Sequence, residues 1–142
     1  MIRKFEKKDI DRVMQIWLES NIQAHSFIDE KYWKENFDTV KSTMLEAKIY
    51  VDEENGEILG FVGMMGDYLA GIFVDKDHRG KRIGKKLLNY IKESYSKFSL
   101  DVYEKNQGAL NFYLREGMTI SSEGLDTETG EKEYRMIWRK EK

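Results

Sequence analysis

The chain has 142 residues, 40% apolar and 35% charged, the profile of one solvated globular domain over residues 1–142 rather than of a disordered or fibrous chain. A formal net charge of −2 argues against general nucleic-acid or membrane affinity, and the absence of cysteine excludes disulfides, thiolate metal sites and thiol nucleophiles. His25 and His78, far apart in sequence, do not suggest a histidine-rich metal centre, and Met1-Ile2-Arg3-Lys4-Phe5 lacks a signal-peptide core, so no metal and a cytoplasmic location are expected.

Ile2 to Phe5 alternates and reads as a first strand. Asp9 is placed to cap a helix whose Ile10, Val13, Met14, Trp17 and Leu18 form one apolar stripe. Asn21 to Ile28 breaks that pattern. A second helix is predicted from near Asp29, with Trp33, Phe37, Val40 and Met44 on one face. Lys48 to Asp52 alternates again, Asn55-Gly56 is a strong two-residue hairpin signal, and Glu57 to Met65 is the returning strand. Gly66-Asp67 turns the chain into a further apolar strand ending at Val74, and a helix is predicted from about Gly80 to Ser96. Phe98 to Tyr103 is a strand, and Asn106 opens a short helix bearing Ala109, Phe112 and Tyr113 that Gly117 closes. Met118 to Ser122 and Glu133 to Trp138 are two last strands joined by an acidic, polar turn around Gly130. The order β-α-α-β-β-β-α-β-α-β-β predicts an α/β fold, a mixed sheet with helices on both faces.

The stretch from Val74 to Leu88 organises the rest. It runs from a buried strand through a glycine-bearing basic loop into a helix, and Lys76 to Lys86 holds six Lys or Arg against one Asp. Helix-start N–H groups are unpaired and carry the positive end of the helix dipole, which suits a phosphate. Gly80 and Gly84 remove side chains where a ligand would approach the backbone. The plain alternative is a solvated basic face. The Walker pattern fails here, because the spacing Gly80…Gly84-Lys85 is short and Lys86 replaces the hydroxyl residue; the G-x-G-x-x-G dinucleotide pattern is absent.

Arg79-Gly80-Lys81-Arg82-Ile83-Gly84 resembles the Q/R-x-x-G-x-G/A motif of the GNAT N-acetyltransferase superfamily, with Arg82 where the family usually has glycine. Asn106 to Met118 resembles a second GNAT signature, N-x-x-A-x-x-F/L-Y-x-x-x-G-F/M, and the element order is similar to the GNAT fold over nearly the whole chain. The resemblance implies a sheet with splayed central strands and acetyl transfer from acetyl-CoA to a primary amine. It assigns the pantetheine arm to the backbone of Ile72, Phe73 and Val74, and the diphosphate to Arg79, Gly80, Lys81, Arg82, Ile83, Gly84 and Lys85. Asn106 and Phe112 join the cofactor side. It implies that Tyr113 donates a proton to the departing sulfur, while packing alone would make it a core tyrosine. Asp101 stands near where the branch resembling ribosomal-protein N-terminal acetyltransferases carries a glutamate, and is the candidate general base; His25, Asp67, Glu104 or no residue at all are the alternatives.

Ala24-His25-Ser26-Phe27-Ile28 with Tyr32-Trp33 resembles an A-H-x-F-I…Y-W signature of a bacterial subgroup, some members of which are assigned to protein lysine acetylation. That resemblance points to His25, Phe27, Tyr32 and Trp33 for the acceptor, against the alternative that they only pack a helix on the sheet. The expected partners are therefore acetyl-CoA and an amine, either small or on a protein. The chain is expected to be a monomer or a homodimer, since Tyr134, Met136 and Trp138 form either an interface or a buried strand face. A non-catalytic acyl-CoA sensor or interaction module is the competing function.

Overall fold

In the computed structural model, which describes residues 1–141, seven strands form one sheet in the order β1-β2-β3-β4-β5-β7-β6. They are β1 (Ile2–Lys4), β2 (Lys48–Glu54), β3 (Glu57–Met65), β4 (Tyr68–Val74), β5 (Lys97–Tyr103), β6 (Thr119–Leu125) and β7 (Lys132–Arg139). The α-helices are α1 (Ile10–Ala24), α2 (Glu30–Glu35), α3 (Phe37–Met44), α4 (Ile83–Ser94) and α5 (Gln107–Arg115). Among the described residues no helix is long and apolar enough to cross a membrane.

The near-continuous apolar run of β3 follows from burial on both faces. Val62 and Met64 meet Ile83, Leu87, Leu88 and Ile91 of α4, whereas Phe61 meets Val13, Met14, Ile16 and Trp17 of α1 in a second cluster. Gly60 allows the first packing. A Cβ there would lie 2.8 Å from the Phe73 carbonyl oxygen and 3.0 Å from Ile83 Cγ2. Tyr134, Met136 and Trp138 join the α4 side of the core, Met136 being fully buried, so their alternation marks an internal strand face.

The site is created by one weak seam. Every strand pair is antiparallel except β4 and β5, whose register contains the single pair Tyr68↔Ser99. By contrast, β5 pairs with β7 along its whole length, from Lys97↔Arg139 to Tyr103↔Glu133. Beyond Ser99 the two parallel strands part, as the family resemblance implied. A bulge adds to the divergence: Gly63 pairs with Gly71 and Met64 with Leu69, leaving Ala70 unpaired at the opening.

Three local expectations are corrected. The second helix is two helices, α2 and α3, because Asn36 turns its amide onto the Tyr32 carbonyl (2.7 Å) and competes with the backbone ladder. The helix after the basic loop starts at Ile83, since Gly80 (φ 84°) and Arg82 (φ 61°) are left-handed and cannot belong to it. Asp9 occupies the position before α1, but its carboxylate does not cap that helix. It accepts the Glu6 N–H (2.8 Å) and pairs with Arg3 (2.8 Å), securing the 3₁₀ turn Lys7–Asp9 instead.

Candidate active site

A cleft of about 1080 Å³ opens where β4 and β5 diverge and runs to the start of α4. It exceeds the usual size of small-ligand pockets. Ile72, Phe73 and Val74 line its β4 side, Arg79, Gly80, Arg82, Ile83, Gly84 and Lys85 line the end at α4, and Asn106, Phe112 and Tyr113 face it from α5. The structure thus brings the cofactor candidates together, except Lys81, which is exposed and does not line the cleft.

The first intrahelical bond of α4 runs from the Lys86 N–H to the Arg82 carbonyl (3.0 Å), so the N–H groups of Ile83, Gly84 and Lys85 lie ahead of it. With the dipole of α4 behind them, N–H groups so placed suit an anion. A Cβ on Gly84 would meet Phe112 no closer than 3.7 Å and Ile72 Cγ2 at 3.9 Å, ordinary contacts, so its absence keeps the cleft wide rather than relieving a clash. Not every basic residue serves this end. Lys86 turns away to the buried Asp52 (3.0 Å), whereas Arg79, Arg82 and Lys85 stay on the cleft.

Asp75 holds the loop from below. Its N–H donates to the Leu59 carbonyl (2.8 Å), its carbonyl accepts the His78 N–H (2.9 Å), and its carboxylate meets His78 Nδ1 at 2.7 Å. Burial works to raise its pKa, but the His78 hydrogen bond and the Arg12 charge outweigh it and hold the group below the usual carboxylate range. Ligand-type atoms of Glu57, Asp75 and His78 lie within 4.8 Å of one another. The Arg12 guanidinium already sits 3.7 Å from Glu57 and 3.6 Å from Asp75, supplying the positive charge a cation would bring.

A smaller cavity of about 230 Å³ adjoins the cleft and shares His25, Asn106 and Tyr113 with it. Trp17, Trp33, Phe73, Asp101 and Tyr103 are among its other lining residues. Tyr113 is buried at the partition, and burial, with the nearby Tyr68 adding to it, raises its phenol above the ordinary value, so it stays protonated; among the described residues no hydrogen bond contributes. Asp101 is fully engaged: Arg135 Nε and Nη2 donate to its two oxygens at 2.8 and 2.9 Å, and the Tyr68 hydroxyl donates at 3.0 Å. His25 links Asn21 (Nδ1, 3.1 Å) to Asn106 (Nε2, 2.9 Å), and burial pushes its pKa down to about 4.

The structure does not bring every acceptor candidate to the cavity. Phe27 and Tyr32 line neither space. Phe27 packs edge-on to His25 (5.7 Å), and Tyr32 packs edge-on to Trp33 (4.9 Å) while its hydroxyl donates to Glu128. The Tyr103 hydroxyl likewise donates to Asp126, so the β6–β7 turn is tied to the wall of the smaller cavity. Glu104 is turned to the Tyr134 hydroxyl (2.7 Å) and Lys132 (3.2 Å), and Asp67 lines neither cavity. Sequence reasoning did not single out Asn21, Trp17, Tyr68 or Arg135. Trp17, Asn21 and His25 recur every four residues along one helix, a signal that was available. Arg135 stands opposite Asp101 only once the β5–β7 register is known.

Residues 10–118 match the model of the acetyltransferase (GNAT) family. The chain is 36% identical over 140 residues to the peptidyl-lysine N-acetyltransferase YiaC of Escherichia coli (strain K12), covering 97% of this chain and 96% of that protein. The peptidyl-lysine N-acetyltransferase YjaB of the same strain is 27% identical over 84% of this chain and 82% of its own. The fold is similar to the solution structure of apo YjaB (TM-score 0.86, 24% identity, covering 99% and 98% of the two chains). It is also similar to YncA of Salmonella typhimurium with its cofactor acetyl-CoA (TM-score 0.71, 16% identity, covering 100% and 94%). The chain belongs to the acetyltransferase (GNAT) family and is an N-acetyltransferase that draws on acetyl-CoA.

Proposed function

We propose that the protein moves the acetyl group of acetyl-CoA to the side-chain amine of a lysine in a protein or peptide. The observation that carries this reading is the partition. Tyr113 borders a large cleft with an anion site at its far end and, on its other side, a narrow aromatic cavity. Acetyl-CoA supplies a thioester-activated acetyl group. The backbone of Ile72 to Val74 would hold the pantetheine arm, and the N–H groups at the start of α4, with Arg79, Arg82 and Lys85, would hold the phosphates. Asn106 and Phe112 face the same arm from α5. The Tyr113 phenol, protonated and without a protein partner, hands its proton to the sulfur as the bond to the acetyl group breaks.

The small cavity suits a slender aliphatic amine more than a bulky polar metabolite. Its rings, Trp17, Trp33, Phe73 and Tyr103, suit the methylene chain of a lysine whose amine reaches the partition at Tyr113. The names of YiaC and YjaB support a lysine acceptor. Asp101 is the carboxylate on this wall, and it acts as base by giving up Arg135 or Tyr68. Removal of the acid limb of the pH–rate profile by Asp101→Asn supports that role; an unchanged limb assigns the proton to solvent.

Incubating the protein with acetyl-CoA and lysine-containing peptides, following thiol release and locating the acetyl group by mass spectrometry, tests the proposal. Modification of lysine side chains is expected. Transfer only to peptide N-termini or small amines overturns the acceptor. Binding of acetyl-CoA without transfer to any amine favours a sensor or interaction module.

A further inference from the structure

Two backbone groups dictate the direction of the hydrogen bonds around His25. At one end, Asn21 Nδ2 donates to the Trp17 carbonyl (2.9 Å), so Asn21 Oδ1 is the atom left to face His25 Nδ1 (3.1 Å), and it accepts. At the other end, the Ala109 N–H donates to Asn106 Oδ1 (3.2 Å), so Asn106 presents its NH₂ to His25 Nε2 (2.9 Å), and it donates. An imidazole held between an acceptor and a donor has one consistent form: Nδ1 carries the hydrogen, Nε2 accepts, and the ring is neutral. The orientation of each amide is set by its backbone partner rather than chosen to suit the ring.

The ring is also fixed in space. It stacks on Trp33 (5.4 Å) and meets Phe27 (5.7 Å) and Tyr103 (5.0 Å) edge-on. Tyr103 is the titratable side chain against it, and its hydroxyl is turned to Asp126. His25 and Asn106 both border the cleft and the smaller cavity, so their contact spans the wall between donor and acceptor.

We infer that His25 is a positioning residue, whose neutral imidazole holds the Asn106 amide at the junction of the two cavities by accepting one of its Nδ2 hydrogens. Asn106 then has one Nδ2 hydrogen and one Oδ1 lone pair, in a set direction, for the cofactor. Without the imidazole that amide is restrained only by the Ala109 N–H. The same geometry removes His25 from the list of general bases, because its lone pair is already occupied and a proton on Nε2 would oppose the Asn106 N–H. The kinetic consequence rests on the acetyl-transfer reading; the hydrogen-bond arrangement does not.

Nitrogen-15 NMR of the imidazole tests the arrangement directly. A neutral Nδ1–H tautomer persisting below pH ~5, well under the ordinary value of about 6.5, is expected. An Nε2–H tautomer, or a midpoint near the ordinary value, overturns the proposal. His25→Phe keeps an aromatic ring and removes the acceptor; it is expected to lower kcat/KM for acetyl-CoA about tenfold, the worth of one hydrogen bond to a placed polar group. The same substitution in an Asn106→Ala background is expected to cost less than about twofold, because the two residues act as a unit. Losses that multiply in the double variant overturn the coupling. His25→Gln, whose side-chain oxygen offers Asn106 an acceptor again, is expected to recover most of the activity, and no recovery counts against the inference should His25→Phe fold poorly. Failure of the wild-type protein to acetylate lysine peptides would count against the acceptor assignment alone, since the imidazole tautomer is read without turnover.

Discussion

Arg82 enters α4 at φ 61° and ψ 24°, the left-handed region in which a side chain crowds the following carbonyl. That conformation costs an L-residue about 1–2 kcal/mol, and glycine avoids the cost. Glycine in turn loses more chain entropy on folding, about 0.5–1 kcal/mol. Arg82 is exposed, so no packing is lost. Arg82→Gly is therefore expected to stabilise the ligand-free protein by about 0.5–1 kcal/mol, raising Tm by about 1–4 °C for a chain of this size. The guanidinium also lines the α4 end of the cleft, where the proposal puts the phosphates, so the variant is expected to bind acetyl-CoA several-fold more weakly, about 1 kcal/mol, with the deficit shrinking as salt rises. Scanning calorimetry without ligand and titration calorimetry at two salt concentrations read the two effects separately. A lower Tm for the ligand-free variant would refute the strain argument, and a deficit unaffected by salt would refute the electrostatic one.

Tyr113→Phe keeps the ring that packs edge-on to Phe112 (5.2 Å) and removes the hydroxyl; kcat is expected to fall at least about tenfold with acetyl-CoA affinity within a few-fold, measured by steady-state kinetics and calorimetry. Gly84→Asp places a carboxylate at the anion site without a protein clash, so acetyl-CoA affinity is expected to fall more than about tenfold with little change in Tm, as seen by thermal shift with and without ligand. His25 lies low, at about 4, because it is buried. As pH drops below about 6.5 the unfolded chain takes up a proton that the folded chain refuses, so the stability tied to His25 is present above that pH and is lost as pH falls through about 4, by at most about 3 kcal/mol. Urea unfolding at pH 7 and pH 4.5 is expected to show a smaller pH loss for His25→Phe than for wild type.

Local patterns carried most of the architecture. The stripe of α1, the apolar run of β3, the hairpin at Asn55-Gly56 and both GNAT motifs occupy contiguous residues, and each appears where the spacing put it. What escaped depended on partners distant in sequence or on a single side chain's choice. Asn36 breaks a helix by bonding to Tyr32, a preference that periodicity does not register. Asp101 looked free on its strand, yet Arg135 and Tyr68 claim both of its oxygens across the sheet. Phe27 and Tyr32 are aromatic beside Trp33, and an aromatic residue reads alike whether it lines a cavity or backs the residue that does. Trp33 lines; the other two back.

The ties from Tyr32 to Glu128 and from Tyr103 to Asp126 have a kinetic meaning. The larger cleft is drawn mainly from residues 72–117, a stretch that closes on itself through short loops. The wall of the smaller cavity, on α1 and α2, is tied to a turn roughly a hundred residues later, so its loop-closure cost falls late in folding. Such a wall is expected to form last and to open first in the native state, with amides of α2 and of the β6–β7 turn exchanging with solvent while those of β3 and α4 remain protected. If the acceptor is the lysine proposed above, such a local opening is the step that admits a bulky, polypeptide-borne amine while the larger cleft stays closed.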